Sequence, residues 1–487
     1  MAHAGEMVTQ LTLADLVHTL TDWCPENLVA PVYPVIDSRR AVPGAVFFAF
    51  RGERVDGHAY VGDALSRGAV AAVVERAVPV DADVDILDLT QAWIPGRTLR
   101  TPLLIVVPDV LAALQRAARR WRQRFELRII GITGSVGKTT TKELVAHVLA
   151  RRYTVERSQQ SYNNEIGLPL TLLRLAPGCE RLVLEMGMYV RGDLRFLAEI
   201  ARPEVGVITN VAPVHAERAG SVEEIALGKR ELVEALPPAP RGVAILNGDD
   251  PRVRAMAEHT AARVFVYGLG PGADLWADGV ESRGLDGIRL RLHHQGATLA
   301  LQVPYPGRHS VYAVLRAAAV GLVEGLAWDE IGAALETPGP IPRMVTTAGP
   351  DDTLILDDTY NSSPPSALAA LALLEDLAGR KVAVLGDMLE LGDYARAGHL
   401  EVGRRAGEVV SELICVGELG RLIGEGARQS GLAAAHIHAA ADNAAAVALV
   451  RSLSAPGDVI LVKGSRGLAM EEIVRALTPA AAGEDGA

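Results

Sequence analysis

Three cysteines in 487 residues, Cys24, Cys179 and Cys415, stand far apart and form no CxxC pair. That spacing argues against a disulfide framework or a cysteine-based zinc site, and it fits a reducing compartment. Basic residues are in deficit, with 48 Lys and Arg against 59 Asp and Glu and a net charge of −11. Nucleic-acid binders usually carry the opposite excess, so no nucleic-acid partner is expected. Anionic substrates stay open, because a few local Lys, Arg and helix N-termini bind phosphate even on an acidic protein. No apolar run approaches the ~20 residues that cross a bilayer, so no membrane insertion is expected. The opening MAHAGEMVTQ lacks the basic and apolar regions of a signal peptide, which leads to the expectation of a cytoplasmic protein. Aromatics are scarce at 4%. Ala, Val, Leu and Gly fill their place, as suits parallel strands packed under helices.

The length implies about three domains at roughly 150 residues each. The first segment, 1–107, mixes short apolar runs with turn residues. Strands are expected at Val46–Phe50, Ala69–Val74 and Leu103–Val107, with a helix-like stretch at Ala59–Arg67. Asp109 is placed as N-cap of a helix over Val110–Phe125. The second segment, 108–340, alternates strand, loop and helix: strands at Arg128–Thr133, Arg181–Glu185 and Val205–Val211, and a helix at Lys138–Arg151. Such alternation implies a parallel sheet with helices on both faces. The third segment, 341–487, offers strands at Thr353–Asp357, Lys381–Leu385, Leu413–Val416 and Asp458–Val462 and reads as a second, smaller doubly wound domain. Its last ten residues, TPAAAGEDGA, read as a frayed tail.

In open parallel sheets ligands sit beyond the carboxyl ends of the strands. After the first strand of the second segment comes Gly131-Ile132-Thr133-Gly134-Ser135-Val136-Gly137-Lys138-Thr139-Thr140. Strand, glycine-rich loop and helix in that order form the setting of a P-loop. Glycines let backbone N–H groups converge on phosphate, Lys138 reaches the β/γ-phosphates, and the Thr139 hydroxyl binds Mg²⁺. The pattern GxxxxGK[ST] is imperfectly met, since its first glycine would fall at Ile132. The plain alternative is a glycine-rich turn with a surface lysine.

Glu185 ends the next strand, and His215 follows Val211 by four residues. An acid and an imidazole near the phosphates hold Mg²⁺ or its waters. Each has a plainer reading, as an exposed strand-end acid and a backbone-bonded loop residue. Ser221 and Glu224 have the spacing of a capping box. In the helix after it, Lys229 lies on the apolar stripe of Ile225, Leu232, Val233 and Leu236. Desolvation there would expose a neutral amine. The pattern alone favours a snorkelling lysine with its head in water.

TGSVGKTTTKE (133–143), NNEIGLPLTLL (163–173), LEMGMYVRGDL (184–194) and ITNVAPVHAERAGS (208–221) resemble the central domain of the Mur ligases. Four further stretches are similar to the member of that family that adds D-alanyl-D-alanine. They are DSRRAVPGAVFFAFRGERVDGHAY (37–60), DDTYNSSPPS (357–366), AVLGDMLELG (383–392) and LVKGSRGLAMEEIV (461–474). The DNPR motif of the member that adds the third residue is absent.

The resemblance implies an α/β protein of three domains. They are a smaller N-terminal α/β domain gripping a UDP-sugar, a central P-loop ATPase, and a C-terminal Rossmann-like domain that closes over the nucleotide. The implied reaction joins D-alanyl-D-alanine to UDP-N-acetylmuramoyl-tripeptide at the expense of ATP, on a monomer. Residues 134–140 (Gly134, Ser135, Val136, Gly137, Lys138, Thr139 and Thr140) would hold ATP, with Arg343, Asp358 and Asn361 meeting it from the C-terminal domain. Thr139, Glu185, His215 and Lys229 would hold Mg²⁺, two ions in all, Lys229 as a carbamate. Ser38, Arg39, Asn163 and Asn164 would face the substrate. One departure stands out. Where many members read HN with a second Asn three residues on, this chain has His309-Ser310-Val311-Tyr312-Ala313. The grip on adenine or ribose must therefore differ, and stacking by Tyr312 is one way to restore it. The rivals are a sister or folylpolyglutamate-type ligase and a non-ligating P-loop protein. The LGDMLELG and KGSR stretches argue against the first pair.

Overall fold

Runs such as Val382-Ala383-Val384-Leu385 have no polar face to offer water, so they form strands buried on both sides. Each buried Val or Leu there contributes about 1.5–3 kcal/mol. The computed structural model describes residues 11–52, 55–214, 216–339 and 345–478. The expected tail, apart from Thr478, lies outside them.

Three sheets organise the chain. The first holds β1 (Tyr33–Val35), β2 (Ala45–Phe48), β3 (Ala71–Val74), β4 (Asp85–Asp88) and β5 (Leu103–Val106), in the order β1-β2-β3-β5-β4 and all parallel. The second holds β6 (Arg128–Thr133), β7 (Val155–Arg157), β8 (Arg181–Glu185), β9 (Val205–Ile208), β10 (Val243–Asn247), β11 (Arg263–Gly268), β12 (Leu275–Ser282), β13 (Ile288–His294) and β14 (Ala297–Val303). Its order is β14-β13-β12-β11-β10-β9-β6-β8-β7. The third holds β15 (Val345–Ala348), β16 (Leu354–Asp357), β17 (Lys381–Gly386), β18 (Glu412–Val416), β19 (Ile437–Ala440) and β20 (Val459–Lys463), in the order β15-β16-β20-β17-β18-β19.

The third sheet shows how a doubly wound core divides. Leu356, Ala383, Leu385, Leu413 and Leu461 enter one core, with the helices Pro364–Asp376 and Ala395–Val409. Their neighbours Ile355, Val382, Val384, Ile414 and Ile460 enter the other, with Asn443–Leu453 and Glu471–Leu477. Alternation across each strand thus feeds two helical layers.

Two expectations need correction. The second sheet is not parallel throughout, since β12, β13 and β14 run antiparallel as a meander. Ile288–His294 alternates buried and exposed residues, the mark of a strand with one wet face. Gln295 and Gly296, both at positive φ (48° and 80°), turn it back in a two-residue hairpin. In the third sheet, β15 is an antiparallel edge strand on β16. Elsewhere only the ends shift. The helix after Asp109 closes at Arg122, with the Asp109 carboxylate accepting the Ala112 N–H at 2.9 Å. Only Val61–Ser66 of the stretch expected as helix over Ala59–Arg67 is α-helical, after a 3₁₀ turn at Gly57–Tyr60. Ser221 caps its helix through the Glu224 N–H, without the return bond of a full capping box.

Two compact units result: Met1–Gly131 with Arg152–Gly187 and Asp193–Val205, and Ile132–Arg151 with Met188–Gly192 and Gly206–Ala487. Among the described residues no helix is long and apolar enough to cross a membrane.

Candidate active site

In the second unit, Thr133 passes into the glycine-rich loop and the helix Lys138–Leu149 begins at Lys138. Gly134 takes φ 146°, and a Cβ there would run into Thr209 Oγ1 and lie 3.0 Å from Thr209 N. Gly137 caps the helix at φ 87°. Neither position tolerates a side chain.

The turn after β9 fixes the loop from behind, which is why that strand stops at Ile208 rather than Val211. Ser135 N–H donates to Asn210 O (3.0 Å), and Val136 N–H to Asn210 Oδ1 (2.9 Å). Thr209 Oγ1 and Asn210 Nδ2 both donate to Val136 O, at 2.7 and 3.2 Å. The Ser135 hydroxyl exchanges bonds of 2.9 Å with the backbone of Ala212. That turn is anchored in its own right. Asn247 Nδ2 donates to Thr209 O at 2.9 Å, Val211 N–H to Asp250 Oδ2 at 2.8 Å, and Tyr267 O–H to Ile208 O at 3.0 Å. The result is a preorganised helix N-terminus able to receive an anion. The Lys138 ammonium rests on the carbonyls of Gly134 (2.8 Å) and Ser135 (3.3 Å), while Thr139 is buried at the first turn and Thr140 half-buried.

Lys229 does not snorkel. It is 4% exposed, and among the described residues no hydrogen bond or ion pair engages its amine. Burial first, and then the charge of Lys138, hold its pKa well below the ordinary lysine value. Met188 lies over Gly228, and the Glu231 carboxylate takes the Gly192 N–H at 2.9 Å, so a distant segment seals this helix.

In the first unit, Glu185 is 2% exposed at the end of β8. Asn163 Nδ2 donates to its carboxylate at 2.9 Å, and Ser158 Oγ takes its backbone N–H at 2.9 Å. It is therefore an oriented, buried acid rather than an exposed strand end. Asn164 Oδ1 accepts the Gly167 N–H at 2.9 Å, which opens the helix Gly167–Leu173. Asp37 caps a 3₁₀ turn at Ser38–Arg40 and holds the Arg39 guanidinium in a fork of 2.9 and 2.8 Å. That fork draws the Asp37 carboxyl below its usual range. Ser38 is buried, whereas Arg39 reaches into solvent.

At the strand ends of the third sheet, Lys463 Nζ donates to Asp358 Oδ2 (2.6 Å) and Asn361 O (2.9 Å). Asp358 and Asn361 are thus brought together by a lysine that the sequence reading passed over. The Tyr312 hydroxyl donates to Asp249 Oδ2 at 3.0 Å. His215 and Arg343 lie outside the described residues. Among the rest, no group of three or more His, Cys, Asp or Glu is arranged to hold a metal ion. Magnesium asks for less from a protein, since one or two carboxylates suffice when phosphates and waters complete the shell.

Sequence reasoning also passed over Thr209, Asn210, Asn247, Asp250 and Tyr267, the support of the glycine loop. Thr209 and Asn210 were visible within the ITNVAP stretch; Asn247, Asp250 and Tyr267 carry no local pattern.

Family models match along the chain in order: the Mur ligase family catalytic domain over 35–122, the Mur ligase middle domain over 132–321, and the Mur ligase glutamate ligase domain over 342–466. The UDP-N-acetylmuramoyl-tripeptide–D-alanyl-D-alanine ligase of Mycobacterium tuberculosis is 39% identical over 477 residues, 91% of each chain. A crystal structure of MurF from Acinetobacter baumannii superposes with a TM-score of 0.81 at 28% identity, over 96% of this chain and 99% of that one. MurF from Thermotoga maritima in complex with ADP gives 0.75 at 26%, over 91% and 96%.

Proposed function

The chain belongs to the Mur ligase family, and from that premise we propose that it joins D-alanyl-D-alanine to UDP-N-acetylmuramoyl-tripeptide with ATP. The observation that carries the acceptor is the end-to-end match to the Mycobacterium tuberculosis ligase, 91% of both chains. A sister ligase shares the ATPase core, but that match extends through the third sheet as well.

A carboxylate is a poor acyl donor. The tripeptide's terminal carboxylate therefore attacks the γ-phosphorus of ATP, giving an acyl-phosphate and ADP. The amine of D-alanyl-D-alanine then attacks the acyl carbon, loses a proton and expels inorganic phosphate. Lys138 and the loop amides of 134–140 stabilise charge on the transferring phosphoryl group. Such a role suits the resting bonds of Lys138, because phosphate oxygens outcompete backbone carbonyls for an ammonium.

Thr139, Glu185, His215 and a carbamate on Lys229 would hold magnesium, which would supply positive charge against the phosphates. The fit rests on two features. Glu185 is buried with one oxygen already steered by Asn163. Burial first, and then the charge of Lys138, push the Lys229 amine toward the neutral form, which would add CO₂ and release a proton to become a carbamate. Asn164 and the Ser38–Arg39 turn take the UDP-sugar side. Arg343, Asp358 and Asn361 meet the nucleotide when residues 341–487 close over it and keep water from the acyl-phosphate. The reading keeps three domains, 1–107, 108–340 and 341–487, each with one of the three sheets at its centre, in a cytoplasmic monomer.

The test is phosphate release from ATP with UDP-muramoyl-tripeptide, with and without D-alanyl-D-alanine. Release that needs both, with the mass of one dipeptide added to the nucleotide product, is expected. Release indifferent to the dipeptide would return the acceptor to the sister ligases.

A further inference from the structure

Arg316, on the helix Val311–Val323, has no role in the scheme above. It follows Ala313 by one turn, in the stretch where both family amides are missing. Its side chain is 4% exposed and its Nε finds no hydrogen-bond partner. No carboxylate stands within ion-pair distance of it among the described residues. The guanidinium lies close enough to Tyr267 for its charge to act on the phenol, which donates to the carbonyls of Ile208 and Thr209. Its Nη2 would lie 3.1 Å from a Cβ built on Gly137, so it backs directly onto the N-cap of the glycine-loop helix.

A desolvated guanidinium without an acid is costly to bury. Placing it behind a helix N-terminus, already positive, adds to that cost. Lys138, at the first residue of the same helix, adds a third positive charge. Neither nearby acid pairs with it: Asp249 accepts from the Tyr312 hydroxyl and the Leu269 N–H, and Asp250 from the Val211 and Arg252 N–H groups. What balances three positive sources in one place is an anion carrying more than one charge.

We propose that Arg316 is a positioning residue of the nucleotide site, its buried charge behind Gly137 compensated by the polyphosphate of ADP or ATP. The proposal rests on the nucleotide reading of the preceding section. Arg316 acts from behind the loop, so it serves phosphate rather than base, and its contribution grows with the number of phosphates.

The experiment compares full-length wild type, Arg316→Gln and Arg316→Lys for MgADP and AMP affinity and for thermal unfolding without nucleotide. Arg316→Gln keeps a polar group toward Tyr267 but removes the charge. It is expected to bind MgADP at least tenfold more weakly, to lose less for AMP, and to unfold without nucleotide at the same temperature as wild type or higher. Arg316→Lys is expected to recover MgADP affinity to within threefold of wild type. In turnover, Arg316→Gln raises the ATP KM and leaves kcat within threefold. A strut would behave oppositely, with lower unfolding temperature and unchanged affinity, and that result overturns the proposal. So does an Arg316→Lys variant as poor as Arg316→Gln. Wild type that fails to bind MgADP at all would instead defeat the nucleotide reading itself.

Discussion

Lys229 and Lys463 are both buried lysines of the same unit, 4% and 2% exposed, and they are opposites. Lys463 meets the Asp358 carboxylate at 2.6 Å and the Asn361 carbonyl at 2.9 Å. It ties two loops together through that acid. Lys229 pairs with no acid among the described residues, and burial first, then the charge of Lys138, push its amine toward the neutral form. Burial alone therefore says little about a lysine. The partner decides whether it becomes a strut or a nucleophile.

The comparison would break most visibly in turnover. Lys229→Ala should lower dipeptide-dependent phosphate release about 10²–10³-fold, as loss of one preorganised charge-stabilising group does. Short carboxylic acids should restore part of it by standing in for the carbamate. Loss without rescue would make Lys229 structural and erase the contrast. Lys463→Met should act on stability, costing about 3–5 kcal/mol in urea unfolding because it strands the Asp358 charge. Adding Asp358→Asn should return most of that. A Lys463→Met protein as stable as wild type would mean that the ion pair holds nothing.

The smallest effect sharpens the comparison through pH. Lys229 titrates lower in the folded chain than its unfolded value of 10.5. Between those two values the unfolded chain holds a proton that the folded chain lacks, so stability rises with pH there, by at most about 1.4 kcal/mol per unit. The effect is absent below the folded pKa and complete above the unfolded one. In CO₂-free buffer, unfolding midpoints of wild type and Lys229→Met measured from neutral to alkaline pH should diverge in that direction. Parallel curves would place the lysine's head in water after all.

What the sequence made legible follows from how far each signal reaches. Doubly buried strands such as β17 and β20 are continuous apolar runs and can be read in place. The meander β12–β14 was missed because its strands are half polar and its turn is only Gln295-Gly296. Lys229 was misjudged on pattern alone, since the segment that closes over its helix, Met188–Gly192, lies about forty residues upstream. Glu185 was found by position, but its orientation depends on Asn163 across a loop. Arg316 had no signal at all. An arginine in an Ala- and Val-rich helix looks like a surface residue until the helix is seen to be buried.

The crossing of Gly134 and Thr209 bears on how the site could evolve under drug pressure. A compound seated against that crossing would touch a point where a methyl group has no room and where the neighbouring hydroxyl is committed to Val136. Resistance could not arise there by adding bulk, because any added atom dismantles the loop before it repels the inhibitor. Escape would have to come from positions where side chains are free to change, and the choice of scaffold contact becomes a choice of which mutations remain open to the enzyme.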